Sequence, residues 1–131
     1  EVRLFLIGLS GRLAAQRVTT EELNKMKELL KKIKQEKDRN ILIQLDAEFH
    51  DFLNYSTKNQ TLAETLKRLR NQIGRLWFFA KENDTYSLQI PKDFEELIKA
   101  LESKDQNKSE QIMKNHAIHF INQIKTNLYT S

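Results

Sequence analysis

The chain has 131 residues, of which 39% are apolar and 31% are charged. This length suits one domain with one core, and this composition excludes an intrinsically disordered chain. The net charge of +4 is spread over mixed acidic and basic stretches without interleaved aromatic residues, so we do not expect this domain to read DNA itself.

Cysteine is absent, which excludes disulfides and thiolate metal sites and fits a cytoplasmic protein. No apolar run approaches the roughly 18 residues that a membrane span needs. The chain begins at Glu1 inside a helical pattern and without the features of a signal peptide. We therefore expect a segment of a longer protein that has no contact with a membrane.

The first three predicted elements are helices, because apolar residues recur three and four positions apart. The first helix carries an apolar stripe that we expect to face the core: Val2, Phe5, Leu6, Leu9 and Leu13. The second helix follows a capping box formed by Thr19 and Glu22. A turn at residues 38–40 precedes the third helix, which stops near Tyr55.

Three more helices are predicted in the second half of the chain. Asn59 is the expected cap of the fourth helix, which runs into aromatic residues at 77–79. Pro91 is typical of the first turn of a fifth helix, and Asp105 is the expected cap of the sixth. Since no alternating strand pattern is found, the sequence predicts an all-α antiparallel bundle.

Polar side chains on apolar helix faces are the most informative residues. Asp46 and His50 stand four apart on the third helix and share one face, while His116 lies within the apolar stripe of the sixth. Because a buried carboxylate needs a partner, we expect the three to converge if these helices are neighbours. Such a group is either a core Asp–His hydrogen bond or, since these donors suit Zn, Ni, Mn or Fe, a metal site.

Four stretches of the sequence carry a resemblance to a known family. In chain order they are EVRLFL at 1–6 with RLAA at 12–15, LDAEFHDFL at 45–53, NQTL at 59–62, and LIKAL at 97–101 followed by Asp105, Met113 and His116. Their order and spacing resemble the FCD domain, the effector-binding half of FadR-like regulators of the GntR family. The resemblance makes residues 1–131 one effector-binding and dimerisation domain, without the N-terminal winged helix-turn-helix domain that binds DNA.

The resemblance implies six or seven helices around a central ligand pocket. It also implies a homodimer, with the first and fourth helices as the expected contacts, that reaches DNA only through the missing domain. Many members hold a divalent metal with one Asp and three His and bind a small carboxylate beside it. Asp46, His50 and His116 match three of these ligands, and Phe94 stands at the place of the fourth. We therefore expect weakened metal binding and a more apolar pocket.

Other residues could complete the site. His119 and Gln72 are the remaining candidates for a fourth metal ligand. Arginine offers a fork of N–H donors to a carboxylate, which makes Arg3 and Arg75 candidates, whereas Arg68 fits an exposed position. The predicted effector site therefore consists of Arg3, Asp46, His50, Arg75, Phe94 and His116.

Two other functions remain open from the residues alone. A metal-dependent enzyme of the di-iron bundle type needs two Glu-x-x-His motifs, and the sequence contains none. A purely structural interaction bundle leaves the inward Asp46, His50 and His116 without a role. The sequence therefore favours a sensor of a small molecule over an enzyme.

Overall fold

A computed structural model describes residues 1–73 and 85–130 of the chain. Within these ranges it has six α-helices and no strand, which confirms the predicted all-α bundle. The helices are α1 (Val2–Arg17), α2 (Thr20–Gln35), α3 (Arg39–Tyr55), α4 (Gln60–Ile73), α5 (Thr85–Glu102) and α6 (Gln106–Thr130). None of the described helices is both long enough and apolar enough to cross a membrane.

Three of the helices, α2, α4 and α6, begin at the side-chain cap that the sequence predicts. Thr19 and Glu22 form the reciprocal capping box of α2, with hydrogen bonds of 3.1 and 2.9 Å. Asn59 accepts a hydrogen bond of 3.0 Å at the start of α4, and Asp105 accepts another of 3.0 Å at the start of α6. Each cap satisfies a backbone N–H that the helix itself leaves unpaired, so the helix starts are fixed locally.

The predicted start of α5 is wrong, because Pro91 lies inside the helix rather than in its first turn. Proline removes one backbone donor and disfavours helical geometry at the preceding residue, so it is tolerated best in the first turn of a helix. For this reason the sequence predicted that α5 begins near Pro91. Ile90, immediately before it, is fully buried, and packing at this position offsets the local preference. The helix therefore extends further towards the N-terminus than the sequence suggested.

The predicted inward face of α1 is also wrong in part. Val2 and Phe5 are 68% and 73% exposed, although they belong to the apolar stripe. The buried face of α1 consists mostly of small residues: Ile7, Gly8, Ser10, Gly11, Ala14 and Ala15. These allow α1 to lie close against α6, and the large side chains at Val2 and Phe5 are left outside.

The packing of the helices determines where the polar residues meet. α1 packs against α6, and α3 contacts α1, α2, α4 and α5. Among the described helices, the backbones of α3 and α6 are not in direct contact, because α1 and α5 lie against both. Polar side chains on α3 and α6 can therefore meet only across the interior of the bundle.

Candidate metal and ligand site

Three polar side chains converge in that interior, as the sequence predicted. Asp46 and His50 on α3 and His116 on α6 are 5%, 7% and 2% exposed. One carboxylate oxygen, Oδ1 of Asp46, lies 3.5 Å from Nε2 of His50 and 3.4 Å from Nε2 of His116. A buried carboxylate is costly without such partners, so the two imidazoles offset part of the cost of burying Asp46.

Asp93 on α5 completes the group and was missed by the sequence analysis. Its Oδ2 lies 2.8 Å from Nδ1 of His116, and its Oδ1 accepts a hydrogen bond of 3.2 Å from Gln89. His116 therefore has a carboxylate at each ring nitrogen. No local signal pointed to Asp93, because its partner is 23 positions away in the sequence and on another helix.

Phe94 lies in the same cluster, beside the position of Asp93. Its ring is fully buried and stacks on Phe49 with 3.8 Å between centroids. It also contacts both imidazoles, with centroid distances of 5.7 Å to His50 and 4.9 Å to His116. The side chain at position 94 therefore faces the donor atoms, and a phenyl ring offers them no ligand.

The charges in this group are set by the balance between burial and hydrogen bonding. Burial alone would raise the pKa of Asp46, but His50 and His116 outweigh it and hold that pKa far below its ordinary range. Burial lowers the pKa of His50, which keeps that ring neutral at pH 7. Burial would also lower the pKa of His116, but the hydrogen bonds to Asp46 and Asp93 raise it.

These opposite shifts predict a stability maximum for the metal-free protein. The raised pKa of His116 gives stability that is complete below the ordinary histidine value of about 6.5 and is lost as pH rises through the folded-state pKa. The lowered pKa of His50 gives stability that is present above about 6.5 and is lost as pH falls. We expect the free energy of unfolding to decrease on both sides of this pH.

Urea denaturation of chelator-treated protein between about pH 5 and about pH 9 measures this effect. The variant His116→Asn lacks the titrating ring, so its stability should no longer decrease on the alkaline side. If His116→Asn and the wild type lose stability equally above about pH 6.5, His116 is not the group responsible.

The donor atoms fit a metal ion with three protein ligands. One atom each from Asp46, His50 and His116 lies within 4.8 Å of the others. Two ligands of a tetrahedral ion with bonds of about 2.1 Å are about 3.4 Å apart, which is close to both distances from Asp46 Oδ1. Carboxylate and imidazole donors suit Zn, Ni, Mn or Fe, and Phe94 faces the place where a fourth donor would stand.

A small cavity adjoins this cluster at His50, where α1, α3, α4 and α6 meet. Its volume is about 10 Å³, and its lining residues are Arg3, Ile7, Ser10, His50, Asn54, Leu66, Arg70 and Met113. The structure therefore places Arg3 beside His50, on the same cavity. Arg70, Asn54 and Ser10 were not among the sequence candidates.

The remaining candidates do not join the cluster. His119 and Gln72 are exposed, so neither supplies a fourth donor in this arrangement. Arg68 is exposed, as the sequence suggested. Arg75 and the aromatic residues 77–79 lie outside the described residues.

Comparison with known protein families gives one match. The family model described as "FCD domain" matches residues 1–119 of the chain. No curated protein and no solved structure matches it. The match covers most of the chain, including all of Asp46, His50, Asp93, Phe94 and His116.

Proposed function

The chain belongs to the FCD domain family, the C-terminal effector-binding domain of GntR-family transcription regulators, and from this premise we propose that it binds a small carboxylate-containing metabolite inside the bundle. Binding would control DNA binding by an attached winged helix-turn-helix domain. A ligand does this by stabilising one geometry of the regulator over another. Such a regulator acts on DNA in the cytoplasm, where we place this protein.

The buried polar cluster is the observation that carries this proposal. Asp46, His50 and His116 are buried, and they carry the ionisable groups that meet at one point of the interior. A bundle that served only as a scaffold would be as stable with apolar residues at these positions, because buried ionic groups seldom add stability over apolar ones. Their convergence at one point of the interior favours a binding role.

We propose that Asp46, His50 and His116 hold a divalent metal with modest affinity. The bound ion would act as a Lewis acid with an open position, at which an oxygen of the effector could bind. The protein residues orient this site: Asp93 holds the ring of His116, and Phe94 closes one side with an apolar wall. Arg3 lines the adjacent cavity and would attract the carboxylate, with Arg75 as a further candidate.

We infer a binding role and no catalytic role. The FCD family is a family of regulators. The cluster supplies donors for a single ion, whereas di-iron bundle enzymes need two Glu-x-x-His motifs and two further carboxylates.

Thermal unfolding in the presence of zinc and organic acids tests the proposed function. A ligand at a hundred times its dissociation constant adds about 2.7 kcal/mol, which should raise the Tm by roughly 10 °C. Asp46→Asn retains the size of the side chain but removes its charge, so it should abolish the shift. If acetate, succinate and citrate fail to raise the Tm of the wild type with or without zinc, the carboxylate proposal is wrong.

We also propose a two-fold homodimer, since regulators of this kind bind paired half-sites on DNA. Val2 and Phe5 on α1 are large apolar side chains left exposed. The described part of α4, Gln60–Ile73, exposes no large apolar side chain, so α1 is the better candidate for the contact.

The substitution Phe5→Glu should convert the dimer to a monomer, because it places a charge in an apolar contact. Sedimentation velocity measures the change. Leu88→Glu is the matched control, since Leu88 is 81% exposed but lies on α5. A wild-type chain that sediments as a monomer at high concentration would contradict dimerisation through this domain.

A further inference from the structure

The two histidines of the buried cluster differ in what holds their rings. His50 faces Asp46 through Nε2, and Asp46 is its one ion-pair partner among the described residues. His116 faces Asp46 through Nε2 at 3.4 Å and contacts Asp93 through Nδ1 at 2.8 Å. Contacts at both nitrogens of a flat ring fix its rotation as well as its position. Of these two rings, only that of His116 is held by a described carboxylate at each nitrogen.

The two contacts of His116 differ in strength. The 2.8 Å contact with Asp93 has the length of a good hydrogen bond, whereas 3.4 Å to Asp46 is longer than most such bonds. An ionised carboxylate only accepts hydrogen bonds, so Nδ1 must carry the proton of the shorter contact. A neutral imidazole has one N–H and one lone pair. When the ring is neutral, Nε2 therefore presents its lone pair to the cluster, as a metal ligand must.

Asp93 is itself held on α5. Its Oδ1 accepts a hydrogen bond of 3.2 Å from Nε2 of Gln89, one turn earlier on the same helix. The next residue, Phe94, packs its ring 4.9 Å from the ring of His116. Two consecutive residues of α5 therefore contact one imidazole of α6. The orientation of this metal ligand is set by a helix to which it does not belong.

The formal charges of the cluster indicate a second role for Asp93. A divalent ion beside Asp46 alone would leave one positive charge uncompensated in the interior, which is costly. Asp93 supplies a second carboxylate, and two carboxylates balance one divalent ion. Its side chain is only 15% exposed, so water screens this charge poorly. Because it acts through the ring of His116, Asp93 compensates the charge without taking up a ligand position.

We propose that Asp93 is the positioning residue of the metal site: it keeps the proton of His116 at Nδ1, turns Nε2 towards Asp46 and supplies the second negative charge. This inference rests on the metal site that is part of the proposed function. It explains how three ligands can hold an ion although Phe94 stands in the place of the fourth. It gives Asp93 no contact with the ion itself.

Asp93→Asn tests this role with little change in the size of the side chain. The amide is uncharged and can turn either its oxygen or its NH₂ group to Nδ1, so it no longer selects one tautomer. Calorimetric titration of zinc into the chelator-treated whole chain should show a ten- to hundredfold loss of affinity, roughly the range for outer partners of a histidine ligand. Asp93→Glu keeps the charge and should recover part of the affinity. The control Glu96→Gln removes an exposed acid from the same helix and should bind zinc as the wild type does.

Nitrogen-15 NMR of the histidine rings gives a readout that a loss of packing would not produce. In the metal-free wild type, above the pKa of His116, the neutral ring should carry its proton at Nδ1. In Asp93→Asn the two tautomers of His116 should mix, while the ring of His50 keeps its wild-type shifts. The signals of His116 are identified by their absence from His116→Asn. Equal disturbance of both rings would indicate a packing role for Asp93 and overturn the proposal.

Gln89→Met is a milder variant that serves if Asp93→Asn does not fold. It removes only the hydrogen bond that holds Asp93, so zinc affinity should decrease by a smaller factor, between about two- and tenfold. An unchanged affinity in Gln89→Met, with Asp93→Asn unfolded, would contradict the positioning role.

The outcomes separate this inference from the metal site on which it rests. If the wild type binds zinc and Asp93→Asn binds it equally tightly, with the tautomer of His116 unchanged, only this inference is wrong. If the wild type binds no zinc, the metal site is wrong and the inference fails with it.

Discussion

Replacing Phe94 by histidine should tighten the binding of zinc or nickel about tenfold or more, because the variant supplies a fourth donor. The phenyl ring lies 4.9 Å from the ring of His116 and 5.7 Å from that of His50. An imidazole at the same position would therefore face the atoms that could hold the ion. The gain is limited if no neighbouring group orients the new ring.

The same substitution should have opposite effects without and with metal. In the metal-free protein, Phe94→His loses the stacking on Phe49 and places a polar ring in the core, which should lower the stability. With excess zinc, tighter binding returns part of that stability through mass action. The variant should therefore show a larger increase of Tm on zinc addition than the wild type.

Calorimetric titration of zinc into chelator-treated proteins measures the affinities directly. Phe94→Ala is the control, because it also removes the buried ring, at a cost of about 3–5 kcal/mol, but provides no donor. Equal affinities of the wild type and Phe94→His, or tight four-coordinate binding by the wild type, would mean that the fourth ligand stands elsewhere. His119 and Gln72 would then have to leave their exposed positions to complete the site.

The convergence of Asp46, His50 and His116 could be predicted because each lies on an apolar face of a helix. Helical spacing fixes which side of α3 or α6 a residue occupies, and burial of that side brings the residues inside. The resemblance to the FCD family then indicated that the three residues belong to one site, because they match three ligands of one metal in that family. The resemblance also placed position 94 at this site, because the fourth metal ligand of the family stands there.

Asp93 and Arg70 could not be predicted, because their partners are set by tertiary packing. Asp93 is 23 residues from His116, and Arg70 is 19 residues from Asp51. A charged residue on a mostly polar helix face looks like any other surface residue in the sequence. Its role becomes visible only when the neighbouring helix is in place.

The inward face of α1 was mistaken because large apolar residues were taken as the best sign of burial. The face that is buried instead carries Gly8 and Gly11, which allow a close approach of α6. Small residues gain little from burial by themselves, but they let two backbones come close enough for many contacts to form. The spacing of apolar residues in the sequence indicates where apolar area can be buried. It does not indicate where small residues let two helices pack closely.

Gly11→Ala should destabilise the domain by about 1–3 kcal/mol, which corresponds to a decrease of the Tm of roughly 5–10 °C. A Cβ at position 11 would lie 2.5 Å from the backbone oxygen of Ser109 and 2.9 Å from its carbonyl carbon. Both are backbone atoms, so relieving the clash requires a shift of α6 and not of a side chain alone. The cost of separating the helices should exceed the gain of about 1 kcal/mol that alanine brings to a helix.

Gly8→Ala is the matched control, one turn earlier on the same helix. The three atoms nearest to a Cβ at position 8 belong to the side chains of Lys114 and Glu110 and not to the backbone, and both side chains are long and partly exposed. This variant should be as stable as the wild type or more stable, by up to about 1 kcal/mol. Urea denaturation of both variants gives the comparison, and equal stabilities would show that α6 adjusts to the added methyl group at no cost.

The effect of Gly11→Ala should reach the candidate site as well. Ser109 and His116 lie on the same helix, two turns apart, so a shift of α6 away from α1 displaces the ring of His116 from Asp46. Zinc affinity should therefore decrease in Gly11→Ala and remain unchanged in Gly8→Ala. A loss of stability without any change in zinc affinity would mean that α6 bends near Ser109 and leaves His116 in place.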